Sequence, residues 1–512
     1  MKFLAFLGKK VILIWSFLLF MLLALSSVAV KTTMPMDGSE MANMRLNGYI
    51  FSIGLIIFLC LFYLCSRSLV FVKESQLFIF WTVLYLIFGV YLIWHQNDVL
   101  RHDSLAVLDA AKAINKGSTH LLTDISGYLH KYPHQLGLVS FERLILTIFG
   151  ETNIKIFFVL NLFMTIVENF FLWRITRRLF RNEQISKLVI LLSFLFLPQL
   201  FTILFVYGLT YGFFFAIIGL YFVQCYLEKR TWKTLVASVI FLTLSYMIRN
   251  NYIILILTIL IILVLDFFHY KIKKNVVFVV LLLSAMTLSN QLLSAYYKDL
   301  AKISKLEGEP KIAWVAMGLN DTPEYNRVGG WYDAFVENVY NDHAGNAEAI
   351  EKASKKQIAN RIHYMIEHPL YACRFFGKKF LSTWTDSLFE SIWSGPVIKM
   401  PVEGQKIRGY LMSSIYEGKV VYKWLYGFSA LLLVMIYGSI LPVILQFFQE
   451  REMNVYLLIP LIYLSGGFLF HLVWETKSQY VYPYVYLLLP LSAFGIDYVT
   501  TLIKRLKLKK LT

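Results

Sequence analysis

The stretch "WHQNDVLRHDSLAVLDAAKAI", residues 94–114, follows directly on an apolar run and carries Asp98, Asp103 and Asp109 together with His95 and His102. Carboxylates so placed can take a proton from a hydroxyl that is attacking an electrophile. The histidines could bind a metal or relay protons, but no closely matched ligand set accompanies them. From residue 103 the small-residue pattern reads as a short amphipathic helix. Asp103 therefore has a competing reading as the N-cap of that helix.

The elements around the stretch decide what it faces. The chain has 512 residues, is 58% hydrophobic and 17% aromatic, and has a mean hydropathy of +0.60. A soluble domain of this size is rarely so apolar. Runs long enough to cross a hydrocarbon core of ~30 Å recur along it. They predict an all-α, polytopic membrane protein with spans near 11–30, 47–65, 76–95, 154–173, 188–205, 208–227, 234–248, 251–268, 276–294, 420–447, 455–474 and 480–500. The first run lacks a clear small-residue cleavage site and reads as a retained helix.

The net charge of +17 is distributed by loop parity. One set of short loops holds Lys9 and Lys10, Arg174 to Arg181, Lys229 and Arg230, Lys271 to Lys274, and the basic tail. The other set holds only Lys31, Arg45, Arg249 and Lys477. By the positive-inside rule both termini are cytoplasmic. The basic balance thus reports orientation, and no nucleic-acid partner is expected.

Residues 136–150, "LGLVSFERLILTIFG", are apolar but span only ~22 Å as a helix, short of the core. Glu142 and Arg143 fall mid-segment, where charge in lipid is costly. A juxtamembrane helix is predicted here, which leaves 96–153 as one extracytoplasmic loop. A second polar segment, 295–419, has a helical stretch near 344–382 and is expected to lie partly on the membrane surface and over the first loop. The chain divides as 1–75, 76–294, 295–419 and 420–512. Of the four cysteines only Cys373 falls outside the membrane on this topology, so no extracytoplasmic disulfide can form within the chain. Nucleotide-binding glycine loops, nucleophile elbows and Cys/His metal spacings are missing from the sequence.

"HDSLAVLDAA" resembles the aspartate-containing first-loop motif of GT-C superfamily membrane glycosyltransferases, in the Gram-positive branch related to protein mannosyltransferases. The matching positions are Asp103, Val107, Ala110 and Ala111. "YLHKYPHQLGLVSFERLILTIFG", "WVAMGLN", "FFGKKFLSTWTDSLFESIW" and "WETKSQYVYPY" resemble later blocks of the same family, in order, over roughly residues 76–500. The two spans before residue 76 are extra to the usual core. The resemblance implies sugar transfer on the outer face of a bacterial plasma membrane. The donor would be a polyprenyl-phosphate-linked sugar, the acceptor a glycopolymer or glycolipid of the cell envelope, and the stereochemical outcome inversion. No cofactor is assigned; related enzymes differ in their need for a divalent metal.

That chemistry assigns roles. Asp103 is the expected base, with Asp98 as the alternative five residues earlier. Asp109 reads as a solvated face, and Asp124 could help place the acceptor. Arg249, at the outer end of a span, is either a headgroup anchor or a clamp on the lipid phosphate, which a guanidinium grips bidentately. Lys477 is the second cation at that level, with Glu475 as its expected ion-pair partner and Tyr480 beside it at the substrate. Arg374, Lys378 and Lys379 read as interfacial anchors, and Trp314, Trp331, Trp384 and Trp393 mostly as an aromatic belt. The rival functions are a lipid-linked-sugar flippase, a polysaccharide polymerase or ligase, and a non-catalytic scaffold. A flippase needs ionisable groups at mid-membrane; Glu168 and Asp266 are read as lying near cytoplasmic ends.

Overall fold

The structure, a computed structural model, describes residues 2–36, 39–96, 99–322, 327–396, 409–450 and 454–509. In lipid every backbone N–H and C=O must be paired within its own segment, so the apolar runs form helices. An N-terminal pair, α1 (Lys2–Ala29) and α2 (Tyr49–Ser68), is joined through a small antiparallel hairpin of β1 (Val30–Thr33) and β2 (Asn43–Leu46). Helix α3 (Glu74–His95) leads into four loop helices, α4 (His102–Asn115), α5 (His120–Thr123), α6 (Tyr128–Lys131) and α7 (Leu136–Phe149). The bundle continues through α8 (Lys155–Phe180), α9 (Glu183–Leu195), α10 (Leu197–Thr202), α11 (Gly208–Lys229), α12 (Trp232–Ile248), α13 (Ile253–Tyr270) and α14 (Lys274–Ala301). The second polar segment carries α15 (Ile312–Leu319), α16 (Phe335–Asp342), α17 (Ala347–Glu367), α18 (Pro369–Trp384) and α19 (Tyr410–Tyr416). The chain closes with α20 (Val420–Gln449), α21 (Ile459–Val473), α22 (Tyr482–Tyr486) and α23 (Leu489–Lys509).

The all-helical membrane architecture is as expected, with two differences in the spans. Among the described residues ten helices are long and apolar enough to cross a bilayer, against twelve expected. One of the other two is α12, apolar but only 17 residues long. The second, 188–205, is broken at Phe196, where ψ is 81°, into α9 and α10. Pro198, in the first turn of α10, has no N–H to continue the ladder. Even so, α9 packs inside the bundle against α3, α8 and α23. The hairpin of β1 and β2 was not expected at all.

Distant parts of the chain pair at both ends of the bundle. At one end Lys9 donates to the Glu450 carbonyl at 2.7 Å, Arg177 lies 3.7 Å from Glu74, and Arg230 lies 2.7 Å from Asp266. The other end gathers the loops that follow α1, α3, α12 and α21, together with α4 to α7 and α15 to α18. Helix α7, 14 residues or ~21 Å long, packs on α4 and turns Leu138, Val139, Leu146 and Glu142 inward. Its Arg143 reaches Asn115 at 3.0 Å and the Tyr297 hydroxyl at 3.2 Å. The second polar segment touches the first loop: the Tyr340 hydroxyl meets His130 Nδ1 at 2.6 Å, and Glu309 N–H donates to the Lys131 carbonyl at 2.9 Å.

Candidate active site

Asp103 lies in the first turn of α4, and it is not the cap. The N-cap position falls to Arg101, which has extended backbone and makes no side-chain cap bond. Between them His102 has φ of 39°, a left-handed backbone that costs a non-glycine residue ~1–3 kcal/mol. The Trp393 ring holds this turn. The Arg101 guanidinium lies 4.8 Å over it, and the His102 imidazole stacks at 6.2 Å, 11° from parallel. Freed from capping, the Asp103 carboxylate takes a hydrogen bond from the Tyr128 hydroxyl of α6.

Asp103 is solvent-accessible although protein surrounds it on every side, and His134 is the same. An accessible side chain ringed by protein faces a recess. Burial raises the Asp103 pKa above the usual carboxylate value, while the Lys477 and His102 charges pull it back. Burial, with Lys311 and Arg249, pushes His134 down to about 4, so it is neutral near pH 7.

Tyrosines connect Asp103 with Gln135, the chain neighbour of His134. Gln135 Nε2 donates to the Tyr207 hydroxyl at 2.6 Å. Tyr207 is hydrogen bonded to Tyr128, and Tyr128 to Asp103. Gln135 can only donate at its Nε2 and an ionised Asp103 can only accept, so each phenol passes its proton toward the carboxylate. The Arg249 guanidinium lies 5.2 Å from the Tyr207 ring and 5.4 Å from the Tyr480 ring. The Asp103 and Arg249 charges both act on these two phenols.

Close backbone approaches fix Arg249. It is the C-cap of α12, its N–H donating to Ser245 O at 3.0 Å. Gly137, at the start of α7, packs directly on the preceding turn. A methyl group there would sit 1.8 Å from the Met247 carbonyl oxygen. No other residue type lets α7 dock so close.

The segment "WETKSQY" after α21 supplies the second cation. Lys477 ion-pairs with Glu40, which comes from the loop between β1 and β2 and also lies 3.2 Å from Arg327. Glu475 is therefore not the direct partner that sequence proximity suggested. Its backbone N–H is tied to Trp314 O at 3.2 Å, and burial raises its carboxyl to about 7. Burial opposes the Lys477 charge, and Glu40, Glu475 and Glu390 outweigh burial and keep it protonated.

Two further carboxyls hold this segment, and sequence reasoning missed both. The Ser478 hydroxyl lies 2.7 Å from Asp386 Oδ2 and 2.7 Å from Glu390 Oε1, and Ser478 N–H donates to Glu390 Oε1 at 2.9 Å. One hydroxyl proton cannot serve two carboxylates, so one of the pair is protonated. Burial raises Glu390 to about 8. The only sequence signal was the block "TDSLFES", whose two acids stand four residues apart, a spacing that reads as one face of a helix although the segment folds as turns.

Several expectations need correction. Lys379 is no interfacial anchor: it is 1% exposed and donates to the carbonyls of Gly318 at 2.5 Å, Trp474 at 2.8 Å and Leu472 at 3.0 Å. It thereby ties α18 to α15 and to the turn carrying Lys477. Trp331, Trp384 and Trp393 are buried core residues and not a belt. Trp314 is half-buried and stacks on Trp474 at 6.3 Å. Glu168 sits midway along α8, accepting from Gln199 at 2.8 Å, and not at a helix end. Asp124 is exposed at the end of α5, acts on His130 and has no contact with Asp103. Asp109 is exposed beside Lys112, as a solvated face should be. Asp98 lies outside the described residues. Among those described, no three His, Cys, Asp or Glu side chains converge as a metal would need.

A family model for dolichyl-phosphate-mannose-protein mannosyltransferases matches residues 138–293. The match runs from α7 into α14 and includes Tyr207 and Arg249. It bears out the GT-C resemblance over that stretch, a narrower one than the 76–500 expected. No curated protein and no solved structure matches the chain.

Proposed function

We propose, with a GT-C-type glycosyltransferase as the premise, that this chain moves a sugar from a polyprenyl-phosphate donor to a glycopolymer or glycolipid of the bacterial cell envelope. Transfer would take place at the outer face of the plasma membrane, where charge parity puts the recess. The observation that carries the reading is that Asp103 and Arg249 converge on Tyr207, Asp103 through the hydrogen-bonded Tyr128 and Arg249 with its guanidinium 5.2 Å from the Tyr207 ring.

In this reading Asp103 takes the proton of the acceptor hydroxyl while its oxygen attacks the anomeric carbon. The bond from that carbon to the phosphate oxygen breaks, and its electron pair leaves with the prenyl phosphate. Arg249 holds the departing phosphate by two charge-assisted N–H···O bonds. A single displacement of this kind inverts the anomeric centre. Burial suits Asp103 to the task, because a raised pKa makes the carboxylate a stronger base.

Asp103→Asn keeps the size of the side chain and its acceptor oxygen toward Tyr128 but removes the base. Purified variant should bind a synthetic prenyl phosphate as wild type does and lose sugar transfer ~100-fold or more. Asp109→Asn should stay near wild type. The acid limb of the wild-type rate profile should lie above the usual carboxylate range and be missing from whatever activity Asp103→Asn retains. Full activity of Asp103→Asn would remove Asp103 as the base and pass that role to Asp98, whereas a wild-type protein that transfers no sugar would leave the flippase or scaffold in the enzyme's place.

A further inference from the structure

The N-terminal helix pair, extra to the expected family core, sets the Glu40 carboxylate of its connecting loop against Lys477 and Arg327. Glu40 is 5% exposed and uses its two oxygens separately, Oε1 toward Lys477 and Oε2 toward Arg327 at 3.2 Å. Its charge also acts on Arg101 and His102. One carboxylate thus bridges two cations, with a third cation and Asp103 beside them.

Anchoring the loop does not need this charge. Thr32 bonds Thr385 through its N–H at 3.3 Å and its hydroxyl at 2.8 Å. Met34 N–H donates to the Tyr426 hydroxyl at 3.0 Å, and the Tyr422 hydroxyl donates to Met34 O. Met34, Met36 and Ala42 pack around Trp331 and Trp393. Three ions moved out of water for attachment alone would be a poor bargain, since desolvation offsets much of their attraction.

A fork and a point charge held apart by one oxyanion form the pattern that binds phosphate. We propose that Lys477 and Arg327 form a second phosphate subsite, that Glu40 is its resident anion, and that a substrate phosphate enters by displacing Glu40. The inference rests on the glycosyltransferase reading and adds to it an anion competitor built into the chain. The subsite is separate from Arg249. Lys477 shares the Glu40 carboxylate with Arg327 and acts on Asp103, whereas Arg249 lies over the Tyr207 and Tyr480 rings and acts on His134, so the two cations have different partners. The phosphate could belong to the prenyl donor or to an anionic acceptor.

The sign of one substitution decides. Full-length protein in detergent is titrated calorimetrically with farnesyl phosphate and, separately, with glycerol 3-phosphate. Glu40→Gln removes the competing charge and should tighten one of the two by about tenfold or more. Adding Lys477→Met should abolish the gain. A gain for farnesyl phosphate assigns the subsite to the donor, and a gain for glycerol phosphate assigns it to the acceptor. Glu40→Asp, which keeps the charge but retracts it, should give a smaller gain and serves if Glu40→Gln fails to fold. Wild-type binding with unchanged or weaker binding in both folded variants overturns the inference and leaves Glu40 as a strap. Absence of farnesyl phosphate binding in wild type and variants alike overturns the donor reading itself.

Discussion

Replacing Arg249 separates a phosphate clamp from a headgroup anchor, and the structure sets the expected size of the effect. The side chain packs on two tyrosine rings at 5.2 and 5.4 Å and is half-buried. Its backbone cap to Ser245 survives any substitution that keeps the N–H. Arg249→Ala loses two cation–π contacts, together ~1–2 kcal/mol of stability at a partly exposed site, and should fold. Toward the phosphate the loss is larger. Each charge-assisted hydrogen bond is worth ~1.5–3 kcal/mol. Two of them amount to ~3–6 kcal/mol, which is ~100-fold or more in kcat/KM. Arg249→Lys keeps the point charge and one bond, so its loss should be ~10- to 100-fold. The assay is transfer from a synthetic prenyl-phosphate sugar across donor concentrations, with melting temperature followed alongside. Equal kcat/KM in wild type, Arg249→Lys and Arg249→Ala would refute the clamp. Equal losses in the two variants would refute the fork geometry and leave Arg249 as a spacer between Tyr207 and Tyr480.

Two further outcomes are expected. In a cysteine-free background, a membrane-impermeant thiol reagent applied outside should label Gly117→Cys and leave Asn182→Cys unlabelled; the reverse pattern would invert the topology and remove the recess from the outer face. Burial raises Glu390 to about 8, whereas the unfolded chain loses that proton near 4.5. Between those values the folded state binds more protons, so stability falls as pH rises, by at most ~1.4 kcal/mol per unit for this group. The melting temperature should therefore drop between about pH 5 and about pH 8, and Glu390→Gln should flatten the drop. A melting temperature that rises over this range, or a variant curve parallel to wild type, would refute the buried-acid assignment.

What could be read from the sequence was local. Apolar runs reveal membrane helices because each must satisfy its own backbone in lipid. Asp103 and Arg249 drew notice because each stands at the end of such a run, and the charges of α7 argued against counting it as a span. A helix broken within an apolar run was harder to see. The composition of 188–205 reads as one span, and only Pro198 hinted at the break between α9 and α10. That the second polar segment covers the first loop was expected, but which side chains meet there was decided by tertiary packing. Glu40 meets Lys477 across 437 residues, and Ser478 meets Asp386 across 92. A single acid in a polar loop has no period and no spacing to mark it. Lys379, three carbonyls deep, looks in sequence like its exposed neighbour Lys378. The same holds for Trp393, which might have sat at a lipid interface and instead braces the turn that frees Asp103. The sequence sets the inventory of charges. Their pairings, and hence their protonation, arise only when helices far apart in the chain close on one another and exclude water.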